Sequence, residues 1–245
     1  MLNILVLSQL KKFALDCLFP QTCLFCRKNT EKEKFALICG GCFSKISFAS
    51  AVFCPRCFRR RPKATNCPSC SPKLHLKILA AAASYEDEKI RTLIHKLKYN
   101  CLKELAQPLA ELLINYLKLA APRWRRDKSI TLIPVPLHKR KENWRGFNQS
   151  ELIGKIIAEN FGWHFENSVL TRIRNNPAQV DLKSFKERRE NVKNLFAVKK
   201  PEIVKNKKIV LIDDVFTSGA TLSECARVLK MAGAKRIYGL VIARG

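Results

Sequence analysis

Four Cys-x-x-Cys pairs stand in series in the first third of the chain: Cys23/Cys26, Cys39/Cys42, Cys54/Cys57 and Cys67/Cys70. A tight turn of this kind points two thiolates at one tetrahedral metal, and a second pair completes the four ligands. Pairing neighbours gives two ribbons, Cys23-Cys26-Cys39-Cys42 and Cys54-Cys57-Cys67-Cys70. Twelve residues separate the pairs in the first and nine in the second, and both gaps suit a short hairpin. Pairing first with third and second with fourth fits the same sequence, so the assignment stays open at this level. A lone pair could be a redox couple, whereas four in series outside a βαβ context point to metal. Four thiolates fill the coordination sphere of Zn2+ and leave no open position, so one or two structural zinc ions are expected. Cys17, Cys101 and Cys225 fit no pair and read as small buried side chains.

The rest of the first 72 residues is short apolar runs broken by Pro and Gly, too small for an independent core, so it needs such staples. Leu2 to Phe19 places Leu, Ile, Val and Phe at helical spacing, which predicts an amphipathic helix packed on the protein. Composition shifts near residue 72. The division expected is 1–20 for the helix, 21–72 for a double zinc-ribbon module, and 73–245 for an α/β domain. In that last part Ile78–Tyr85, Ile130–Val135, Lys208–Ile212 and Arg236–Ile242 read as strands. Ile90 to Leu119 reads as two helices broken near Asn100, and Thr221–Ala232 as another. A basic loop is expected up to about Asn148, with Ser150 capping a helix through Asn160. Strands alternating with helices imply a parallel sheet.

The 46 Lys and Arg against 20 Asp and Glu give a net charge of +26. Two four-thiolate zinc sites at −2 each leave about +22. Such a field favours polyanions: nucleic acid, an anionic membrane or phosphate-rich metabolites. With 47% hydrophobic residues the chain is not disordered by composition. No stretch approaches the ~20 apolar residues of a membrane span, and no basic start or cleavage site marks an export signal. These features predict a cytoplasmic protein without a transmembrane segment, or one peripheral to the inner face of the membrane.

The sharpest motif runs Ile209-Val210-Leu211-Ile212-Asp213-Asp214-Val215-Phe216-Thr217-Ser218-Gly219-Ala220-Thr221. An apolar strand ends in two carboxylates, and a loop of small residues leads into a helix, where α/β sheets bind ligands. Backbone N–H groups from Thr217 to Thr221, with the helix N-terminus, suit a phosphate. The hydroxyls of Thr217, Ser218 and Thr221 add donors, and Gly219 lets the backbone approach closely. Asp213 and Asp214 would repel that phosphate but could accept hydrogen bonds from ribose hydroxyls.

This motif resembles the phosphoribosyl diphosphate signature of type I phosphoribosyltransferases. Pro134-Val135-Pro136-Leu137, then Arg145-Gly146-Phe147-Asn148-Gln149, then Gln179 and Leu182 before Arg188-Arg189-Glu190-Asn191-Val192, narrow the likeness. In combination with the cysteine module they are similar to the ComF (ComFC/GntX) family. The resemblance implies a parallel-sheet, type I phosphoribosyltransferase-like domain behind a zinc-ribbon module. It also implies a role in DNA uptake during natural transformation (competence), or in DNA utilisation.

What binds follows from the same likeness. Asp213, Asp214, Thr217, Ser218, Gly219, Ala220 and Thr221 would hold phosphoribosyl diphosphate, with Mg2+ carried on its diphosphate. Arg145 would steady that diphosphate, and Asp213, Asp214 and Arg145 would be the catalytic set if transfer occurs. Lys and Arg recur from Arg123 to Arg145 and from Arg172 to Lys208, interleaved with Trp124, Trp144 and Phe147. Cationic grooves with exposed rings bind single-stranded DNA by backbone attraction and base stacking. Lys139, Arg140, Lys141, Trp144, Arg188 and Arg189 are the candidates, and Trp124 and Phe147 read equally as core. Three functions stay open: a phosphoribosyl-diphosphate-binding factor that handles single-stranded DNA, an active phosphoribosyltransferase of unknown acceptor, or a zinc-ribbon adaptor with a vestigial site. The adaptor would dock a DNA-import helicase or a membrane channel.

Overall fold

The computed structural model describes residues 21–61, 64–174 and 192–245. The helix expected over Leu2 to Phe19 lies outside the described residues. The chain divides into two compact units between Ser47 and Phe48. This division falls inside the 21–72 module, so the second ribbon is part of the α/β unit.

In the first unit, an isolated bridge joins Thr22 to Asn29, and the Leu24 N–H donates to Leu37 O at 3.0 Å. A single helical turn, α1 (Gly40–Phe43), follows Cys39, and Phe43 packs its ring on Phe35 at 4.9 Å.

The second unit is built on a seven-stranded sheet. Its strands are β1 (Val52–Phe53), β2 (Arg60–Arg61), β3 (Leu76–Ser84), β4 (Ile130–Pro134), β5 (His164–Phe165), β8 (Lys208–Phe216) and β9 (Arg236–Arg244). A separate antiparallel pair is formed by β6 (Leu170–Arg172) and β7 (Phe196–Val198). The sheet order is β2-β1-β3-β9-β8-β4-β5. From β3 to β5 every pairing is parallel, and β1 joins β3 antiparallel through Phe53 and Leu79. The second ribbon adds to the sheet in this way because β1 directly precedes Cys54. The parallel strands are near-continuous apolar runs, as strands covered on both faces must be.

The helices of this unit are α2 (Glu88–Tyr99), α3 (Ala106–Ala120), α4 (Pro122–Arg126), α5 (Lys139–Arg145), α6 (Gln149–Phe161), α7 (Pro201–Val204) and α8 (Ala220–Met231). Asp87 caps α2 by accepting from the N–H groups of Lys89 and Ile90, and Asn100 ends it where the break was expected. On one face of the sheet, Leu222, Cys225, Ala226 and Leu229 of α8 meet Leu79, Leu211 and Ile237 in a buried cluster. On the other, α6 lies so close that a Cβ on Gly154 would fall 2.8 Å from Leu132 and 3.1 Å from Ile212.

Three local readings are corrected. The segment expected as a basic loop holds α5, capped by His138 at its start and by Gly146 (φ 76°) at its end. Asn148, not Ser150, caps α6. β8 continues through Asp213 and Asp214 to Phe216, because pairing with β9 persists past the acids (Asp213 with Val241, Val215 with Ala243). Among the described residues, no helix is long and apolar enough to cross a membrane.

Candidate functional site

The two cysteine tetrads are built alike. The N–H of Cys23 donates to Lys28 O and the N–H of Arg27 donates to Cys23 O. In the second ribbon Cys54 donates to Arg59 O and Phe58 to Cys54 O in the same way. Arg27 (φ 63°) and Phe58 (φ 57°) both take the left-handed conformation that closes this knuckle. The second half of each ribbon repeats too: Phe43 N donates to Cys39 O, and Ser71 N to Cys67 O.

Cys23, Cys26, Cys39 and Cys42 gather their sulfurs within 4.8 Å of one another, and so do Cys54, Cys57, Cys67 and Cys70. Neighbouring pairs therefore share a site, which resolves the alternative left open by spacing. The Sγ atoms of Cys26 and Cys39 are 3.6 Å apart and those of Cys57 and Cys67 3.9 Å. A tetrahedron with Zn–S bonds of about 2.3 Å needs edges near 3.8 Å, so the donor sets fit structural zinc. Burial and the neighbouring sulfurs push Cys42 and Cys70 each up to about 12. Four thiolates can share such a pocket only around a cation. Cys225 is fully buried and Cys101 partly so, while Cys17 lies outside the described residues.

The second constellation forms at the carboxyl end of β8. Successive strand residues point to opposite faces, so the two acids part company. Asp214 turns toward α6 and is buried at 5% exposure. Its Oδ1 lies 2.8 Å from Lys98 Nζ, and its Oδ2 accepts from Gln149 Nε2 at 2.7 Å. Gln149 Oε1 in turn accepts from Arg145 Nη1. Arg145 is buried, and its Nε has no hydrogen-bond partner among the described residues. Asp213 is only half-buried. Its Oδ1 accepts from its neighbour's N–H at 2.9 Å and from Ser150 Oγ at 3.4 Å. Burial and then the Asp214 charge push Asp213 up to about 7.

Cations converge on this pair. Burial would lower Lys98, but Asp214 and Asp213 outweigh it and raise it. Arg172 on β6 is lowered by burial and drawn back by Cys225 and Asp213. Lys141, although exposed on α5, is lowered first by desolvation of its ammonium and then by the charges of Arg172, Arg145 and Lys98. Lys141 thus senses the other three cations, and Lys98, Arg145 and Arg172 each sense one or both carboxylates. Sequence reading named Lys141 and Arg145 as candidates and Arg172 only as the start of a basic stretch, and it missed Lys98.

The segment Arg145 to Ser150 wraps the acids because its turn is fixed at both ends. Gly146 ends α5, and Asn148 caps α6 while its Nδ2 donates to Val135 O at 3.0 Å. This ties the end of β4 to the start of α6 and aims Gln149 and Ser150 at Asp214 and Asp213.

Thr217 to Thr221 forms the turn into α8. Thr217 is exposed, and Gly219 (φ 72°) precedes the helix. A Cβ on Gly219 would overlap the Phe216 ring, so a side chain there would have to displace that ring. Ser218 Oγ reaches the Ala220 N–H at 3.4 Å. The helix N-terminus is followed by twelve helical residues, long enough for its dipole to favour an anion.

The nucleic-acid candidates divide. Lys139, Arg140, Lys141 and Trp144 are exposed on α5, Trp144 at 62%. Trp124 is core, stacked on Tyr238 at 4.7 Å, and Phe147 is core as well. Arg188 and Arg189, with Gln179 and Leu182, lie outside the described residues.

Comparison with known proteins accords with this architecture. A double zinc ribbon domain matches residues 14–71, and a phosphoribosyl transferase domain matches residues 147–245. The DNA utilization protein YhgH of Salmonella typhi is 30% identical over 220 residues, covering 82% of this chain and 93% of that protein. Competence protein F of Haemophilus influenzae is 29% identical over 92% of this chain and 98% of its own. Competence protein ComFC of Bacillus subtilis is 28% identical, over 86% and 82% respectively.

Proposed function

We propose, from the premise that this chain belongs to the ComF family of proteins with a double zinc ribbon and a phosphoribosyltransferase domain, that it binds phosphoribosyl diphosphate and handles single-stranded DNA during DNA uptake or utilisation. The observation that carries the first half is the juxtaposition at the end of β8. A helix-opening turn with Gly219 at positive φ stands beside a half-buried Asp213 and a group of four cations. In this reading the 5-phosphate sits on the N–H groups of Thr217 to Thr221. Asp213 accepts from the ribose diol, and Asp214 acts mainly by orienting Gln149 and Lys98. Lys98, Lys141, Arg145 and Arg172 supply the charge that a diphosphate needs, and Arg145 Nε is a buried donor suited to it.

Magnesium fits as a companion of the diphosphate, since it keeps water and takes few protein ligands. Among the described residues, only the two cysteine tetrads gather three or more metal-ligating groups. Bound Mg2+ would neutralise the diphosphate, and the chain's own part is to orient the sugar and exclude competing anions.

The DNA half of the reading is supported by the names of the relatives, by the net charge of +26, and by exposed Trp144 among Lys139, Arg140 and Lys141. Stacking of a base on an exposed ring beside cations is the physics of single-strand binding.

Calorimetric titration with phosphoribosyl diphosphate and Mg2+ tests the first half. Binding by the wild type with a loss of tenfold or more in Asp213→Asn, on the order expected for a lost charged hydrogen bond, supports it. No heat with the folded wild type refutes it. Filter binding of a single-stranded oligonucleotide across a salt series tests the second.

A further inference from the structure

We propose that Phe58 couples the second zinc ribbon to the phosphate loop, so that metal retention by Cys54, Cys57, Cys67 and Cys70 and the conformation of Thr217 to Thr221 depend on each other. The consequence for ligand binding rests on the function proposed above, but the coupling itself requires no ligand.

Phe58 is the residue that closes the knuckle, donating its N–H to Cys54 O at 3.0 Å. It does so at φ 57°, where a bulky L-residue is rarely found. The knuckle does not require a ring here, since Arg27 occupies the same place in the first ribbon. What the ring does is visible on its other side. It meets the Phe216 ring edge-on, with centroids 6.0 Å apart and planes at 80°. The Arg244 guanidinium lies 4.6 Å from the Phe53 centroid and 5.3 Å from that of Phe58, so one cation holds both ribbon rings against the strand ends.

Phe216 is the common element. Its ring is 2% exposed, with Phe58 against it and the Gly219 backbone close enough that a Cβ there would overlap the ring. A ring held on two sides in a close-packed interior cannot tilt without displacing a neighbour. A change of loop conformation therefore presses on the knuckle, and loosening of the knuckle frees the loop. Linkage of this kind is reciprocal. A sugar phosphate that stiffens the loop slows zinc loss from the second ribbon, and zinc loss there weakens the sugar phosphate.

The test is pulsed cysteine alkylation of the full zinc-loaded chain in the presence of a chelator, with rates read for each cysteine by peptide mass spectrometry. Wild type, Gly219→Ala, Phe58→Ala, Phe58→Tyr and the Gly219→Ala/Phe58→Ala pair are compared. Gly219→Ala drives its new methyl at Phe216, and labelling of the second tetrad should rise about threefold or more, a coupling at the low end for residues in contact. Labelling of Cys23, Cys26, Cys39 and Cys42 should not change. The rise should vanish in the Phe58→Ala background, and Phe58→Tyr, which keeps the ring, should behave as wild type. An unchanged second tetrad in folded Gly219→Ala, or a rise that survives Phe58→Ala, overturns the proposal. Should Gly219→Ala not fold, Phe216→Leu removes the shared ring and is read by the same criteria. Repeating the wild type with phosphoribosyl diphosphate and Mg2+ separates the two readings. A chain that shows the coupling but gives no binding heat refutes the ligand assignment alone, whereas binding without protection of the second tetrad refutes the reciprocal linkage.

Discussion

Lys98 Nζ lies 2.8 Å from Asp214 Oδ1, joining the last turn of α2 to the carboxyl end of β8. Asp214 has no other charged partner at that distance among the described ion pairs. Removing one member of a buried pair leaves the other's charge uncompensated. Lys98→Met should therefore destabilise the protein by about 2–4 kcal/mol in urea unfolding. The Lys98→Met/Asp214→Asn pair should recover more than half of that loss, because the remaining group is neutral.

Asp213 gives a pH signature. Its folded value of about 7 stands above the ordinary ~3.9 of an aspartate, so the folded state binds a proton that the unfolded chain has lost. Stability falls as pH rises from about 4 to about 7, and the whole penalty is present above that. Asp213→Asn removes it. The variant should exceed the wild type by about 1–3 kcal/mol at pH 8 and show no gain at pH 4, read from denaturation at both values.

Zinc stoichiometry checks the ribbon pairing. The wild type should carry two zinc ions. Cys23→Ser/Cys39→Ser should lose one, because both ligands belong to the same tetrad, and Cys23→Ser/Cys54→Ser should lose both. Crossed pairing reverses the two results. Metal analysis of the purified variants decides.

Single-strand binding should separate charge from stacking. Lys139→Ala/Arg140→Ala should reduce the slope of log affinity against log salt by about 1.4, at roughly 0.7 per lost phosphate contact. Trp144→Ala should weaken binding by about 1–3 kcal/mol and leave the slope unchanged. Equal slopes for all three proteins would move the DNA surface away from α5.

Strongly periodic or strongly spaced features were legible in the chain itself. The cysteine spacing announced one or two metal sites, but spacing carries no distance, and only the folded knuckles gave two and excluded crossed pairing. The apolar run before Asp213 announced a strand, yet its end was misplaced, because acids break an apolar pattern while β9 continues the hydrogen-bond ladder to Phe216. Lys98 left a faint trace. It extends the row Ile90, Ile94 onto the buried side of α2, where a charge needs a partner, but sequence cannot name a partner 116 positions away. Asn148 and Gln149 were noticed as a motif without roles. Their meaning depends on α6 starting where β4 and β8 end, which is a tertiary fact. The helix α5 was hidden by its run of basic residues, whose exposed positions give no apolar stripe.

β1 covers part of the outer edge of β3, with Phe53 opposite Leu79 and the Ala49 N–H donating to Ala82 O at 2.7 Å. β3 is nine residues long and almost wholly apolar, the kind of strand that recruits another chain when its rim is bare. Outside β1, the sheet terminates in only two residues, Arg60 and Arg61, whose like charges discourage further strand addition. The second ribbon thus covers part of the rim of β3, and its loss would leave that apolar edge open to another strand.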